Sequence, residues 1–402
     1  MPTHSSDGVY CANTPNRDLQ FCADIILMSN YEETPTEPTN ESLRHLESFW
    51  HVSLPETFRI FYTHLQSPIL GNCEFYPIRM IVQGAGRVFG MLPQFLPFGR
   101  AIGDGGLYGF YVTPEIALGR LPVAYLEEDD MYLRPVASSF ETFLAHCITV
   151  GRYEVEEEWV EDSDDWQETE ERDTLIELFS LPETLLTLEA PRNYTELNER
   201  LLSFDPHNSA SLCYLGCNQR SLGHVERALD LFHRASEVAP WFGDIPYLIA
   251  DVFREREQPL RAIPYYWSVV QHALPLCTHT INWNLGEDHP EADVYEVAAD
   301  VLSQWEKHIP SEIKKHPLWQ VVAHEDPYDP SIREALGDAF YAQNDLGSAE
   351  CEYLSALSLC YTERSRQPIR IYEALAQLYE RRGYTRDLHL VNFDQQLPRT
   401  LL

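Results

Sequence analysis

The C-terminal half of the sequence repeats with a period of 34 residues, and this period is the strongest constraint on the fold. Four pairs of similar or identical residues are separated by 34 positions: Pro206 and Pro240, Gly216 and Ala250, Ala228 and Ala262, and Phe232 and Tyr266. A unit of this length forms one supersecondary element and buries its apolar face only by stacking on its neighbours. We therefore expect an all-helical array over residues 193–402.

Segment 209–240 resembles a tetratricopeptide repeat (TPR). The positions that match the family signature are Leu212, Leu215, Gly216, Gly223, Ala228, Phe232, Ala235 and Pro240. Small residues on facing helices let the two helices approach, and the proline ends the second helix. Further units match through Ile249, Ala250, Phe253, Ala262, Tyr266 and Val269; Leu336, Gly337, Phe340, Ala349, Tyr353 and Ala356; and Leu375, Ala376, Tyr379 and Gly383. Residues 275–328 carry a helical apolar face but fit no clean repeat.

The TPR resemblance implies a groove that binds peptides. In that family the first helices of successive units line the inner side of a right-handed superhelix. The corresponding positions here are Asp244, Tyr247, Asp251, Arg254, Glu334, Asp338 and Tyr341. Because carboxylates dominate this set, we expect the groove to prefer a basic or mixed-charge peptide.

The N-terminal third has a different texture. Residues 1–40 contain Ser, Thr, Asn and Pro runs and are expected to form a loosely ordered lead-in. Two amphipathic helices follow in 41–50 and 55–65, and short β-prone runs at 75–82, 88–92, 107–112 and 123–126 indicate a small sheet. Ser138, with Glu141 three residues later, is predicted to cap a closing helix. These elements predict an α+β domain over residues 41–150 that folds alone.

Five motifs in this domain resemble the SUKH superfamily (Smi/Knr-like), which contains fungal cell-wall-synthesis regulators and bacterial toxin-immunity proteins. They are Leu54–Arg59, Phe95–Gly99, Gly103–Gly109, Leu121–Tyr125 and Ala137–Leu144. The usual Asn-Gly-Gly after the second helix is missing, and Gly71-Asn72 is its nearest vestige. The resemblance implies protein binding and leaves the partner open, whether a basic toxin or a signalling protein.

Several residues of this domain are candidates for contact with a partner. Glycines around Asp104 permit a tight turn that places Tyr108 on the next strand. The run Glu127, Glu128, Asp129 and Asp130 lacks the alternating ligand spacing of a calcium loop, so we expect a solvated acidic loop near the interaction face.

Residues 151–192 are expected to form an acidic linker. Segment 154–173 contains 12 acidic residues and one base, and their mutual repulsion favours an extended, solvated chain. Trp159 and Trp166 within it have two interpretations that stay open at this point: they tether the linker to a neighbouring domain, or they form a docking motif for a basic partner.

The overall charge limits the class of partner. With 29 basic and 63 acidic residues, the chain has a net charge of −34, which opposes binding to nucleic acids and anionic membranes and favours basic proteins. The nine cysteines form no CxxC pair or regular framework, which favours a reducing compartment. No apolar stretch approaches the length of a membrane span, and we read no signal peptide, so a cytoplasmic location is expected.

The sequence carries no catalytic or cofactor-binding constellation. Gly84–Gly90 has its third glycine one residue late for a dinucleotide loop, and the histidines lack zinc-ligand spacing. Cys213 and Cys217 read as small residues on the first helix of a repeat. We therefore expect a non-catalytic interaction protein of immunity or regulatory type, without cofactor or metal and of undetermined oligomeric state. The alternative is a hydrolase or transferase with its active site in the α+β domain and repeats that recruit substrate.

Overall fold

A six-stranded antiparallel sheet with helices around it forms the N-terminal part of the chain. The computed structural model describes residues 40–64, 69–88, 90–103, 105–113, 121–127, 129–155, 178–179, 191–283, 292–363 and 368–397. All of these but the last residue fall in one compact unit that spans 38–396. The predicted lead-in over 1–40, apart from Asn40, and the linker tryptophans Trp159 and Trp166 lie outside the described residues.

The strands follow one another in chain order across the sheet. They are β1 (Ile69–Leu70), β2 (Cys73–Phe75), β3 (Phe95–Ala101), β4 (Leu107–Tyr111), β5 (Val123–Leu126) and β6 (Leu133–Ala137). The register shifts between Pro97 and Gly99 of β3, where the strand carries a bulge against β4, and again between Val123 and Ala124 of β5 against β6. The helices of this part are α1 (Asn40–Trp50), α2 (Glu56–His64), α3 (Ile78–Val82) and α4 (Phe140–Val155).

The predicted elements of this part hold for α1, α2, β4 and β5 but not everywhere. Segment 75–82 is a strand only up to Phe75 and then forms α3, and the described residues of 88–92 contain no strand. The hydroxyl that caps α4 belongs to Ser139, which accepts from the Thr142 backbone N–H at 3.2 Å. Ser138 instead donates to Asp205 in the C-terminal part, at 2.6 Å.

One face of the sheet packs on its own helices. Aromatic rings from α2, α4 and the strands meet there edge to face, as in Phe58 against Phe140 with ring centroids 4.9 Å apart. Leu144 is fully buried in this cluster. Phe179, beyond the acidic segment, is buried in the same cluster.

The C-terminal part contains helical hairpins. Its helices are α5 (Tyr194–Phe204), α6 (Ser209–Ser221), α7 (Val225–Val238), α8 (Asp244–Glu255), α9 (Pro259–Val270), α10 (Val294–Gln304), α11 (Ser311–Lys314), α12 (Pro317–His324), α13 (Pro330–Ala342), α14 (Leu346–Glu363), α15 (Ile369–Arg382) and α16 (Thr385–Asp394). The hairpins α6/α7, α8/α9, α13/α14 and α15/α16 are the predicted units, and the structure is consistent with a helical repeat.

Glycines on the first helix of a hairpin set the distance between its two helices. A Cβ atom added to Gly216 would lie 2.3 Å from the Phe232 ring, and one added to Gly337 would lie 2.6 Å from the Tyr353 ring. The same pair of positions therefore packs in the same way in two hairpins, as the repeat pattern predicts.

Segment 275–328 connects the hairpins by a less regular path. Short 3-10 helices precede and follow α10, whose buried face includes Val294, Val301 and Leu302. Buried Arg333 ties this segment to α14, since its guanidinium contacts Glu352 at 2.9 Å and lies 4.7 Å from the ring centre of Tyr295. The predicted helical face is therefore present without a full hairpin.

The second face of the sheet packs against the C-terminal helices. Phe95, Leu107, Tyr111, Leu126 and Leu133 share one hydrophobic cluster with residues of the helical hairpins. Strands β4 and β5 are consequently buried on both faces. The α+β part and the helical part thus have a common core, while the proposed domain limits at 150 and 193 stay a prediction.

Polar contacts cross the same interface. The buried guanidinium of Arg87, which lies between α3 and β3, forms an ion pair with the buried carboxylate of Asp394 in α16. Its Nη1 also donates to the Phe95 carbonyl at 2.7 Å. At strand β6, the Asn208 side chain donates to the Val136 carbonyl at 2.6 Å. The helical part is therefore attached to the sheet by its first and its last hairpins.

The hairpin turns give a first prediction. Gly223, Glu257, Asn344 and Gly383 occupy the turn between the two helices of successive hairpins, and all have positive φ. Gly223→Ala should lower the free energy of unfolding by about 1 kcal/mol, because a Cβ atom is disfavoured in this left-handed region. Glu257 has a φ of 55°, so Glu257→Gly should raise the free energy of unfolding. The net gain should be about 0.5 kcal/mol, because the larger backbone entropy of glycine in the unfolded chain offsets part of the relieved strain. Urea unfolding of the full chain measures both, and shifts of the same sign would contradict this account.

The buried ion pair gives a second prediction. Asp394→Ala leaves the Arg87 charge buried without its partner and should destabilise the chain by about 3–5 kcal/mol. The double variant Arg87→Met with Asp394→Leu should recover most of this loss. Glu226→Ala, which removes an exposed pair with Arg256, is the matched control and should cost under about 0.5 kcal/mol. A loss below about 1 kcal/mol for Asp394→Ala in urea unfolding would show that the pair does not hold the interface.

Candidate interaction surface

The predicted groove residues of α8 are mostly buried. Asp244, Tyr247 and Asp251 have no exposed surface, and Arg254 is partly exposed. Asp244 accepts from the Thr278 backbone N–H at 2.7 Å and from the Trp283 indole N–H at 2.8 Å. The carboxylates of Asp244 and Asp251 have their partners within the fold, and their buried atoms cannot contact a binding partner directly, which corrects the expected exposure of these positions.

Asp251 connects neighbouring hairpins. Its carboxylate lies between Arg220 of α6, at 2.5 Å, and Arg254 of α8, at 2.7 Å. Tyr266 of α9 donates to the same carboxylate at 3.2 Å. Its negative charge is therefore balanced within the protein.

The predicted positions of α13 are more accessible. Glu334 is buried and pairs with Arg370 at 3.2 Å, but Asp338 is 46% exposed and Tyr341 is partly exposed. Asp338 accepts from Tyr353 at 2.8 Å, which parallels the contact of Asp251 with Tyr266. Asp338 and Tyr341 are thus the groove residues of α13 that a partner can reach.

The acidic loop between β5 and β6 lies against the irregular segment. Asp129 and Asp130 are exposed and Glu127 is partly exposed, whereas Asp104 and Glu128 lie outside the described residues. Asp130 contacts His279 Nε2 at 3.5 Å. The exposed residues Asp129 and Asp130 are therefore solvated as expected, and Asp130 lies close to the helical part.

Tyr108 is not part of an accessible surface. Its side chain is buried, and its ring lies 5.3 Å from that of Tyr125 and 5.0 Å from that of Phe143. Burial raises the pKa of its hydroxyl well above the usual range. The tyrosine is a core residue, and its predicted role in partner contact is corrected on this ground.

A cleft at the junction of the sheet and the helices is the surface feature that the sequence analysis did not identify. Its volume is about 650 Å³. The sheet side contributes Gln94, Tyr111, Thr113, Pro122 and Ser138, and the helical side contributes His207, Glu237, Val238, Pro240, Trp241, Gln271, His272, Ala273, Leu276, Glu350, Cys351 and Leu354. The cleft is composite, since neither part of the chain forms it alone. A cleft of this size is typical of sites for small ligands or short peptide segments.

Aromatic rings and polar side chains line the cleft. The rings of Tyr111 and Trp241 lie 4.3 Å apart at 49°. Gln94 is 4% exposed, and its Nε2 donates to Glu350 at 2.8 Å and to Tyr379 at 2.9 Å. The described lining includes carboxylates but no Lys or Arg. The one sequence signal for this site is Trp241, a large aromatic residue that directly follows the proline at the end of a repeat.

The described residues contain no group of three or more His, Cys, Asp or Glu side chains that could hold a metal ion. Burial raises the pKa of the Cys213 and Cys277 thiols and that of Cys217 to about 12, which keeps these thiols protonated and poorly nucleophilic at neutral pH. None of the helices that the structure describes has the length and apolarity to cross a membrane.

Comparison with known proteins places the N-terminal domain. Residues 37–146 match the model of the SMI1 / KNR4 family (SUKH-1). The matched segment contains the whole sheet and the start of α4, and it supports the SUKH-type assignment of this domain. A search of curated proteins found no match.

Buried Asp244 gives a third prediction, on pH dependence. Burial raises the pKa of its carboxyl from 3.8 to about 6, so the folded chain binds this proton more tightly than the unfolded chain does. The stability linked to the proton is present below about pH 4 and is lost as pH rises through about 6. The free energy of unfolding of the native chain should therefore fall relative to that of Asp244→Asn between these two values. Urea titrations at several pH values measure the difference.

Exposed Asp230 on α7 supplies the control for this titration. Asp230→Asn should follow the native chain across the whole range. A constant difference between the native chain and Asp244→Asn would mean that Asp244 does not bind a proton in this range.

Proposed function

We propose that this chain is a non-catalytic SUKH-type immunity or regulatory protein that binds a basic protein partner. The observation that carries the proposal is the match of residues 37–146 to the SMI1 / KNR4 family (SUKH-1). The net charge of −34 supports a basic partner, because opposite charge speeds encounter and suppresses wrong partners. A cytoplasmic setting is part of the proposal, in keeping with the lack of disulfide bonds among the described cysteines.

Exposed acids near the junction of the two parts are the proposed steering groups. Glu127, Asp129 and Asp130 lie on the loop between β5 and β6, and their side chains are wholly or partly exposed. The acidic segment 154–173 adds charge on the same chain. If the partner is a toxin with a basic groove, carboxylates imitate the phosphates that such a groove binds.

The helical hairpins are the proposed second docking surface, of TPR type. Support comes from the recurring contacts of Gly216 with Phe232 and of Gly337 with Tyr353, which give two hairpins the same packing. The predicted groove residues with exposed surface are Arg254, Asp338 and Tyr341. Because the α8 carboxylates are buried, Asp338 of the C-terminal hairpins supplies the accessible negative charge of this surface.

The salt dependence of association tests the proposal. The partner is first identified by affinity purification of the native chain at low salt, and its association rate is then measured from 0.1 M to 1 M salt. Screening lengths fall from about 10 Å to about 3 Å over this range, so the association rate should fall steeply while the dissociation rate changes less.

A variant with neutralised acidic residues tests whether these residues steer association with the partner or only keep the chain soluble. Replacement of the acids of 154–173, together with Glu127→Gln and Asp129→Asn, should flatten the salt dependence. The control removes exposed acids elsewhere, as in Asp300→Asn with Glu312→Gln, and should leave the slope unchanged. Equal slopes for the native and neutralised chains would exclude electrostatic steering, and failure to recover any protein partner would oppose the proposed function itself.

A further inference from the structure

We infer that the cleft between the sheet and the helices binds an extended peptide segment of the partner in which a basic residue adjoins an apolar one. The inference rests on the proposed protein-binding function and names the site and the chemistry that this function uses. It follows from the walls of the cleft, from its charge and from one buried polar atom.

The walls of the cleft suit apolar side chains. Tyr111 and Trp241 line it from opposite parts of the chain, and Trp241 keeps part of its surface exposed. Leu276 and Leu354 add aliphatic surface from the helical side. A partly exposed tryptophan in a concave site is the type of residue that dominates binding energy in protein interfaces.

One polar side chain of the cleft, that of Gln94, carries a buried hydrogen-bond acceptor. Gln94 is nearly fully buried, and among the described residues no group donates to its Oε1 atom, although its Nε2 is bonded. A buried acceptor without a donor costs free energy, which a ligand N–H would recover. Glu237 on the rim is exposed and adds a negative charge.

The charge balance selects a cationic segment. Glu350 is already paired with Arg382 and bonded to Gln94, so Glu237 is the carboxylate that best attracts a ligand cation. The described lining carries no Lys or Arg to hold a phosphate or a carboxylate. A second copy of this chain, also at −34, is disfavoured by repulsion.

Selection from a random peptide library tests the inference. The probe is a phage-displayed library of twelve-residue peptides, panned against the full chain. The enriched peptides should combine Arg or Lys with a neighbouring aromatic or aliphatic residue. Their affinity for the chain, measured by fluorescence anisotropy, should fall about tenfold for Glu237→Lys and about thirtyfold for Trp241→Ala.

Matched controls keep the result interpretable. Asp230→Lys makes the same charge change on an exposed residue of the same helix, outside the cleft, and should leave the affinity within about twofold. Thermal unfolding of each variant reports whether Trp241→Ala perturbs the fold. Glu237→Lys serves as the second variant because the exposed Glu237 side chain contributes little to the core.

The outcomes separate the cleft from the wider proposal. Absence of enrichment, acidic enriched peptides, or equal affinity for the native chain and Glu237→Lys would overturn the inference. A purified protein partner that still binds Glu237→Lys and Trp241→Ala as it binds the native chain would overturn the cleft as the site and leave the proposed function standing. Competition between that partner and an enriched peptide would support the inference.

Discussion

Burial of the second face of the N-terminal sheet is the constraint on which the rest of the structure depends. Strands β4 and β5 carry apolar residues toward both sides, so the sheet cannot leave either face in water without a large loss of hydrophobic stabilisation. Its own helices cover one face and the helical hairpins cover the other. The ion pair between Arg87 and Asp394 then fixes the last hairpin on the sheet, because each buried charge needs the other.

This arrangement determines which surfaces remain for a partner. Polar groups at the helix ends that contact the sheet already have partners within the chain. The Asn208 side chain, for example, donates to the Val136 carbonyl. The cleft around Trp241 lies where the two parts meet, and it exists only in the assembled chain. A ligand bound in the cleft would contact the sheet and the helices at once. A change in how these two parts pack would therefore also change the binding site.

Particular residues show how far sequence reasoning extends to the fold. The helices were predictable because apolar spacing, caps and hairpin turns are local signals, as at the left-handed Gly223. Strand β3 was missed because Pro97 and Gly99 oppose a regular strand, and a bulge accommodates them. Strand β6 contains Pro135, which an edge strand tolerates. Segment 75–82 turned out to be mostly helical after Pro77, whose backbone begins α3.

The sequence by itself determined the repeat period, the spacing of the small residues that bring paired helices together, the acidic charge and the family resemblance of the N-terminal domain. Each of these depends on neighbours along the chain or on totals. The tertiary structure alone decided which repeat carboxylates reach solvent. Asp251 and Asp338 occupy equivalent positions in their hairpins, and both accept a hydrogen bond from a tyrosine. Asp251 is nevertheless buried between two arginines, whereas Asp338 is exposed. The exposure of a side chain depends on whether residues distant in sequence cover it. The composite cleft around Trp241 also depends on such residues, because its lining comes from both parts of the chain.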